Sequence, residues 1–160
     1  MPETEAVEIL LVEDDSSDAE LALHALKKCN VANRVMRVRD GAEALDFLFR
    51  HGAYSARGGE EQPMLVLLDL KLPKVDGLQV LKEIKGELKT KAIPVILLTS
   101  STEESDRAAG YLLGVNSYIQ KPVNFAEFQE VVRQLGMYWL LLNAKPPACA
   151  FQSTQELARP

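Results

Sequence analysis

The stretch MLVLLDLKLPKVDG (residues 64–77) decides the fold of this chain. Its five leading residues are apolar, and they are followed by one carboxylate, Asp69, and by a turn that contains Pro73 and Gly77. A short apolar run that ends in this way is typical of a strand buried in a parallel sheet. We therefore expect Asp69 to emerge at the carboxyl edge of the sheet, where open α/β proteins bind ligands and carry out chemistry.

The composition indicates one globular domain. The chain has 160 residues, of which 47% are hydrophobic and 26% are charged, and its net charge is -5. This acidic balance, without a block of basic residues, argues against nucleic acid or an anionic membrane as a direct partner. Residues 1–8 do not resemble a signal peptide, and no apolar run approaches the roughly 20 residues of a membrane span. Cys29 and Cys149 lack metal-ligand spacing, so we expect free thiols and a cytoplasmic location.

The apolar pattern predicts a regular alternation of strands and helices. Strands are expected at residues 7–12, 34–38, 93–98 and 117–120, and over the apolar run 64–68 that ends at Asp69. Helices are expected at about residues 17–28, 42–50, 78–88, 103–113 and 125–141. Five βα units of this kind imply a parallel sheet with helices on both faces, joined by right-handed crossovers. Residues 51–63 are predicted to form a surface loop, and residues 144–160 a flexible tail.

Capping residues predict several helix ends. Ser17 with Glu20 has the spacing of a capping box at the start of the first helix. Asn124 is a candidate N-cap for the last helix. Gly114 is a candidate for the left-handed residue that follows a helix.

Charged and hydroxyl residues follow four of the five predicted strands, and all of them would lie on one edge of the sheet. They are Glu13, Asp14 and Asp15 after the first strand, Asp69 after the third, Thr99 and Ser100 after the fourth, and Lys121 after the fifth. Carboxylates gathered so closely repel one another, so a bound cation is expected. Oxygen ligands without a cluster of His or Cys favour Mg²⁺ over zinc.

A cation beside Asp69 makes this carboxylate a plausible nucleophile towards phosphorus. Phosphoryl transfer requires neutralisation of the phosphoryl oxygens, and the metal, the Lys121 ammonium and the Thr99 hydroxyl can each take one. The product is an aspartyl phosphate. Each residue alone has an ordinary explanation, such as a turn, a helix cap or a solvated surface lysine. Their joint appearance at successive strand ends favours the functional interpretation.

These residues, in this order, resemble the receiver domain of two-component response regulators. The matching motifs are LLVEDD at 10–15, LLDLKLPKVDG at 67–77, ILLTSS at 96–101 and SYIQKPV at 117–123. The resemblance covers roughly residues 7–140. It implies a flavodoxin-like (βα)5 fold, doubly wound, with strand order 2-1-3-4-5. The receiver domain would occupy residues 1–143, and the following tail is too short for an output domain.

The resemblance implies a metal site and a phosphorylation site. Asp69 is the phosphoacceptor. Asp14 and Asp69 bind Mg²⁺ (or Mn²⁺) directly, the backbone carbonyl of Lys71 is a third ligand, and Glu13 acts through a water. Asp15 lies outside the acidic pair and is expected at the helix start.

The resemblance also implies residues that bind the phosphoryl group and respond to it. Thr99 is the switch hydroxyl, with Ser100 beside it, and Lys121 binds the phosphoryl group. The bond from Lys121 to Pro122 is expected to be cis, and Gly77 to give the turn before the third helix.

Two features near the site leave alternatives open. Tyr118 matches the aromatic switch position of the family, although a half-buried edge-strand tyrosine would look the same. Lys71 lies two residues after Asp69, and Ser101 lies two residues after Thr99. Lys71 either stabilises the phosphorylated state as a second cation or points to solvent.

A receiver without an output domain must act through another protein, and its expected phosphoryl donor is a sensor histidine kinase. The long loop and the aromatic end of the last helix resemble a subgroup that serves bacterial phytochromes. The stretch 137–142 is nearly all apolar, including Tyr138, Trp139 and Leu140. Such a segment must be covered. We expect a homodimer through the last helix and the fifth strand; the alternative is packing by the tail.

Two other functions are considered. A metal-dependent phosphohydrolase with an aspartyl nucleophile usually carries a second Asp two residues later, where this chain has Lys71. A flavodoxin-like FMN carrier would need a phosphate loop after the first strand, where the residues at 13–15 are acidic instead. We therefore expect a stand-alone response regulator that acts catalytically on itself only.

Overall fold

A computed structural model describes residues 7–28, 34–57 and 62–151 of the chain. Five parallel strands form one sheet in the order β2-β1-β3-β4-β5. The strands are β1 (Ile9–Val12), β2 (Val35–Val38), β3 (Leu65–Leu68), β4 (Val95–Thr99) and β5 (Ser117–Gln120). This is the predicted flavodoxin-like topology, and it is confirmed.

Within the described residues, six α-helices connect or flank the strands. They are α1 (Ser16–Lys28), α2 (Gly41–Phe49), α3 (Gly77–Gly86), α4 (Leu88–Lys91), α5 (Glu104–Leu112) and α6 (Phe125–Gly136). A π-helical segment, Met137–Leu142, continues α6. Short 3-10 segments lie at Gly52–Tyr54 and Ala148–Phe151. The third predicted helix is therefore divided into α3 and α4, and the last predicted helix changes its hydrogen-bonding pattern after Gly136.

The core has two layers, one on each face of the sheet. Successive side chains of a strand point to opposite faces. Leu68 accordingly packs with residues of α2 and α3, while Leu67 packs with residues of α1 and α6. All four residues of β3 are buried. The continuous apolar run before Asp69 is thus explained by helices that cover both faces of this strand.

Side-chain caps begin several helices. Asn124 accepts hydrogen bonds from the backbone N–H groups of Ala126 and Glu127, as predicted. The predicted Ser17 cap is wrong. The Asp15 carboxylate accepts a bond from the Asp18 N–H at 2.8 Å instead, and α1 begins at Ser16. Because Asp15, in the loop after β1, caps the N–H of Asp18, the helix starts earlier than the capping-box spacing predicts.

Part of the C-terminal tail packs on the domain. The segment Ala148–Phe151 contacts α4, and Phe151 is half-buried against the core layer that includes α2 and α3. Burial of the aromatic side chain favours this packed position, and the flexibility of the tail stays a prediction. Residues 152–160 and Cys29 lie outside the described residues, while Cys149 is exposed and free.

Replacing Gly77 with alanine should destabilise the fold. A Cβ at this position would overlap the backbone carbonyl oxygen of Asp69 and the Cα of Leu70. We expect Gly77→Ala to lower the free energy of unfolding by about 2–3 kcal/mol, measured by urea denaturation. Gly86→Ala is the matched control, since a Cβ there meets nothing within 4 Å. This control should be neutral or slightly stabilising, and equal effects would contradict the prediction.

Candidate functional site

The register of the sheet brings the predicted site residues to one edge. Val12 pairs with Leu68, so Glu13 and Asp69 follow neighbouring strands at the same level. The Asp69 N–H donates to the Val12 carbonyl at 3.2 Å. The Lys121 N–H donates to the Thr99 carbonyl at 2.7 Å, which aligns the ends of β4 and β5.

The Lys121 ammonium lies at the centre of the site. Its Nζ contacts Oε2 of Glu13 at 2.7 Å, Oδ2 of Asp69 at 2.9 Å and Oδ2 of Asp18 at 2.9 Å. Only 8% of its side chain is exposed. The lysine therefore holds together carboxylates from the residues directly after β1 and β3 and from the first turn of α1.

Three carboxylates beside Lys121 form an acidic cluster. Each of Glu13, Asp14 and Asp69 offers an oxygen, and these oxygens all lie within 4.8 Å of one another. Glu13 and Asp69 are buried, while Asp14 is exposed to solvent. Several carboxylate oxygens at the solvent boundary fit a hard divalent cation.

Burial dominates the protonation of this cluster. It raises the pKa of Glu13 to about 7, against the opposing effect of Lys121 and with a smaller contribution from Asp69. Burial alone would lower the pKa of Lys121. Its hydrogen bonds to Glu13, Asp69 and Asp18 outweigh that effect, so the pKa is raised above its ordinary value. Lys121 thus stays charged, and Glu13 titrates near neutrality when no other cation is bound.

The stability of the metal-free protein should fall as Glu13 loses its proton. Because folding raises the pKa of Glu13 from 4.5 to about 7, the folded state binds this proton more tightly than the unfolded state. The resulting stabilisation is present below pH 4.5 and is lost as the pH rises towards 7. It is on the order of 3 kcal/mol.

Urea denaturation in a chelator between pH 4.5 and 7.5 measures this effect. The difference in unfolding free energy between the unsubstituted protein and Glu13→Gln should decrease as the pH rises. Glu20→Gln, which removes an exposed acid of α1, should show no such change. A pH-independent difference for Glu13→Gln would contradict the assignment.

The hydroxyl residues form a chain at the end of β4. Thr99 is fully buried, and its Oγ1 accepts a bond from the Ser101 N–H at 3.2 Å. Ser101 donates its hydroxyl to Asp106 at 2.6 Å. The Tyr118 hydroxyl donates to the Ser101 carbonyl at 3.4 Å. The predicted switch residues Thr99 and Tyr118 are thus both linked to Ser101, while Ser100 is exposed.

An open cleft of about 550 Å³ adjoins the acidic cluster. Its lining includes Asp14, Lys71, Glu103 and Asp106. The backbone N–H of Lys71 lies 3.4 Å from Oδ1 of Asp69. The cleft thus reaches the residues that follow Asp69 in the chain and the exposed Asp14 of the acidic cluster.

The predicted cis bond before Pro122 is wrong, and the three predicted interface residues lie outside the acidic cluster. The described residues contain no cis peptide bond, so the bond from Lys121 to Pro122 is trans. A bond to proline intrinsically prefers trans by about 0.5–1 kcal/mol, and Lys121 reaches all three carboxylates with this bond trans. Tyr138, Trp139 and Leu140 lie beyond α6 in the π-helical segment. They belong to a separate surface.

Two contacts of the site were not predicted. Asp18 binds Lys121, although the sequence shows it only as an acid in the first turn of a helix. Arg37 of β2 donates to the backbone carbonyls of Glu13 at 3.2 Å and Asp14 at 3.3 Å, which supports the acidic loop. The sequence could have indicated Asp18, because this residue lies in the first turn of a helix that starts at the functional edge. The Arg37 contact depends on the pairing of β1 with β2.

The fold and the residues at the carboxyl edge of the sheet are typical of one class of signalling domain. The chain matches the response regulator receiver domain over residues 9–133. It belongs to this family. No helix within residues 7–28, 34–57 and 62–151 is long and apolar enough to cross a membrane.

Two curated relatives resemble the chain over most of its length. The probable methanogenesis regulatory protein FilR2 of Methanothrix harundinacea is 43% identical over 138 residues, which are 86% of each chain. Response regulator Rcp1 of Synechocystis is 40% identical, over 88% of this chain and 93% of Rcp1.

Solved structures of receiver domains share the fold. The phosphorylated cyanobacterial phytochrome response regulator RcpA has a TM-score of 0.82 and 39% identity, with 89% of this chain and 100% of RcpA covered. The bacteriophytochrome response regulator AtBRR has a TM-score of 0.69 and 53% identity, with coverages of 88% and 99%. The Mn²⁺-bound form of Rcp1 has a TM-score of 0.81 and 40% identity, with coverages of 87% and 98%.

Proposed function

We propose that this receiver domain accepts a phosphoryl group on Asp69 from a sensor histidine kinase and changes its protein contacts in response. The observation that carries the proposal is the contact of the buried Lys121 ammonium with Asp69 at 2.9 Å. A cation fixed beside a carboxylate at the mouth of a cleft can neutralise a phosphoryl oxygen as it arrives.

Apart from a bound divalent cation, the transfer needs only the groups at this edge. An oxygen of the Asp69 carboxylate attacks the phosphorus of a phosphohistidine. The new O–P bond forms as the P–N bond breaks, and the electron pair of that bond stays on the imidazole nitrogen. An ionised carboxylate requires no general base for this attack. Hydrolysis of the acyl phosphate then returns Asp69, so the domain would act catalytically on itself alone.

The acidic cluster fits Mg²⁺, or Mn²⁺ in its place. Asp14, Asp69 and the Lys71 backbone carbonyl would hold the ion, with Glu13 joined through a water. The support is the close approach of the three carboxylates, two of them buried. When bound, the ion supplies positive charge to the phosphoryl oxygens and to the carboxylates.

Thr99 and Tyr118 are proposed as the switch. The buried Thr99 hydroxyl can donate to a phosphoryl oxygen, with Ser100 at the adjacent backbone position. Tyr118 responds through its bond to the Ser101 carbonyl. New bonds to a phosphoryl group would thereby shift the loop between β4 and α5. Lys71, exposed at the cleft, remains either a second cation for the phosphoryl group or a solvated side chain.

Phosphorylation can be tested directly with a small donor. Incubation with acetyl phosphate and Mg²⁺, followed by intact mass measurement, should show the gain of one phosphoryl group. No gain would overturn the proposed function. Loss of the gain in a chelator would support the metal site.

A bacterial phytochrome is the proposed source of the phosphoryl group, in the cytoplasm. Support comes from the 53% identity to the bacteriophytochrome response regulator AtBRR and the similarity to the phytochrome response regulator RcpA. A purified bacteriophytochrome kinase labelled with radioactive phosphate should transfer its label to this chain faster than an unrelated histidine kinase does. Equal rates would contradict this pathway.

The apolar segment after α6 is the proposed dimer contact, together with β5. Met137, Tyr138, Leu141 and Leu142 are exposed, while Trp139 and Leu140 pack partly on the core. These four side chains stay exposed even though residues 144–151 are in place, so packing by that part of the tail does not cover them. A second copy of the same surface is the proposed partner.

Sedimentation should detect the dimer and its dependence on Leu142, which is 75% exposed. Leu142→Lys should weaken dimerisation by about tenfold or more, because a charge replaces an apolar contact. Leu88→Lys, at another exposed leucine on α4, should leave the dimer intact. A monomer at high concentration, with and without phosphorylation, would exclude the dimer.

A further inference from the structure

The loop between β3 and α3 contains a strained turn. The Val75 N–H donates to the Pro73 carbonyl at 2.8 Å, and Lys74 between them has a φ of 66°. A hydrogen bond that closes three residues around a positive φ forms the rare type of γ-turn, which is unfavourable for a residue with a side chain. Such a turn persists only where its surroundings hold it in place.

The start of α2 holds this turn. The Gly41 N–H donates to the Pro73 carbonyl at 3.4 Å, so that this oxygen accepts two hydrogen bonds. The Asp40 carboxylate, which caps α2, lies 3.4 Å from Nζ of Lys74. The Lys74 side chain is 69% exposed, so this ion pair contributes little. The backbone contact at Gly41 is therefore the main support.

This contact depends on the absence of a side chain at Gly41. A Cβ there would overlap the backbone carbonyl group of Val75. Backbone atoms cannot rotate out of the way as the end of a flexible side chain can, and only glycine permits so close an approach of two backbones. Any side chain at position 41 would therefore separate the turn from α2.

The turn is joined to the proposed metal site through the chain. The Gly77 N–H donates to the Leu70 carbonyl at 2.7 Å and closes the base of the loop. Pro73 is held at the other end by Gly41. Lys71, whose backbone carbonyl is the proposed third metal ligand, lies between these two fixed points. Mg²⁺ demands near-octahedral ligands at about 2.0–2.1 Å, so a small displacement of this carbonyl weakens its binding.

We propose that Gly41 is a positioning residue for the metal site. It holds the strained turn at Lys74 where the chain presents the Lys71 carbonyl to Mg²⁺. The inference rests on the proposed function, since the metal site is part of that proposal. It implies that the start of α2, which contributes none of the proposed ligands, sets the affinity for the metal.

The stabilisation of the fold by Mg²⁺ measures this role. An ion that binds only the folded state raises the free energy of unfolding by an amount that depends on its dissociation constant. Gly41→Ala should weaken Mg²⁺ binding about tenfold, so the increment between chelator and saturating Mg²⁺ in urea denaturation should shrink by about 1.4 kcal/mol. A purely structural role would lower the free energy of unfolding equally in both conditions.

Gly86→Ala is the matched control for this substitution. A Cβ at Gly86 meets nothing within 4 Å, so the increment from Mg²⁺ should stay unchanged. Titration with Mn²⁺, followed by electron paramagnetic resonance, gives the affinity of each folded variant directly. Gly41→Ala should again bind about tenfold more weakly than Gly86→Ala.

Substitutions of Lys74 test the turn without crowding it, because this side chain is exposed. Lys74→Ile places a β-branched residue at a positive φ, which is strongly disfavoured, and should weaken Mn²⁺ binding about three- to tenfold. Lys74→Gly adopts this φ without strain and should bind Mn²⁺ at least as tightly as the unsubstituted protein. Both variants lose the ion pair with Asp40, so the difference between them reports on the backbone.

Different failures have different meanings. Equal Mn²⁺ affinities of Gly41→Ala and the unsubstituted protein would exclude the positioning role, while the proposed function stands. If Gly41→Ala does not fold, equal affinities of the two Lys74 variants would exclude the role instead. If the unsubstituted protein binds neither Mg²⁺ nor Mn²⁺ and gains no phosphoryl group from acetyl phosphate, the proposed function fails, and the role of Gly41 fails with it.

Discussion

Asp69→Asn should abolish phosphorylation. The amide keeps the size and the hydrogen-bonding reach of the carboxylate, but it is a far weaker nucleophile and cannot form an aspartyl phosphate. After incubation with acetyl phosphate and Mg²⁺, intact mass should show one added phosphoryl group in the unsubstituted protein and none in the variant.

Asp76→Asn is the matched control for this substitution. Asp76 lies in the same loop and caps α3 through the N–H of Gln79, so it shares the cleft but not the proposed chemistry. It should still be phosphorylated. A phosphoryl gain in Asp69→Asn equal to that of the unsubstituted protein would assign the acceptor to another residue. Circular dichroism spectra would establish that both variants are folded.

Lys121→Met should slow phosphorylation by about 100-fold, the effect typical of losing one charged donor in a preorganised site. Methionine has a similar length but no charge, so the incoming phosphoryl oxygen loses its protein cation. The rate of phosphorylation by acetyl phosphate at saturating Mg²⁺ measures the effect. Lys82→Met, at an exposed position of α3, should leave the rate unchanged. A rate within a few-fold of the unsubstituted protein would exclude Lys121 from the transfer.

The same substitution should alter stability in a pH-dependent way. Without Lys121, the buried carboxylates of Glu13 and Asp69 face each other unpaired, at a cost of about 3 kcal/mol near pH 7 without metal. The cost should shrink as the pH falls towards 5, because the pKa of Glu13 is already raised and would rise further. Saturating Mg²⁺ should recover part of the lost stability, because the ion binds the folded state. A pH-independent loss in urea denaturation would contradict this explanation.

Much of the fold follows from local patterns. The bounds of β5 were predicted at both ends, and β3 was recognised from its continuous apolar run. β4 begins at Val95 rather than Ile93, since Pro94 has no N–H to join the ladder. The hydrophobic periodicity of the sequence does not indicate the split between α3 and α4. It does not indicate the π-helical segment after Gly136 either.

The sequence by itself determined which residues reach the functional edge, because the end of each strand is marked by a change from apolar to charged or hydroxyl residues. Asp69, Thr99 and Lys121 follow from this rule. Only the tertiary structure decided how Lys121 divides its three donors, since Glu13 and Asp18 are separated from it by more than 100 residues of chain. Strand ends are set by neighbouring residues, whereas the partner of a buried charge is set by what the folded chain packs around it.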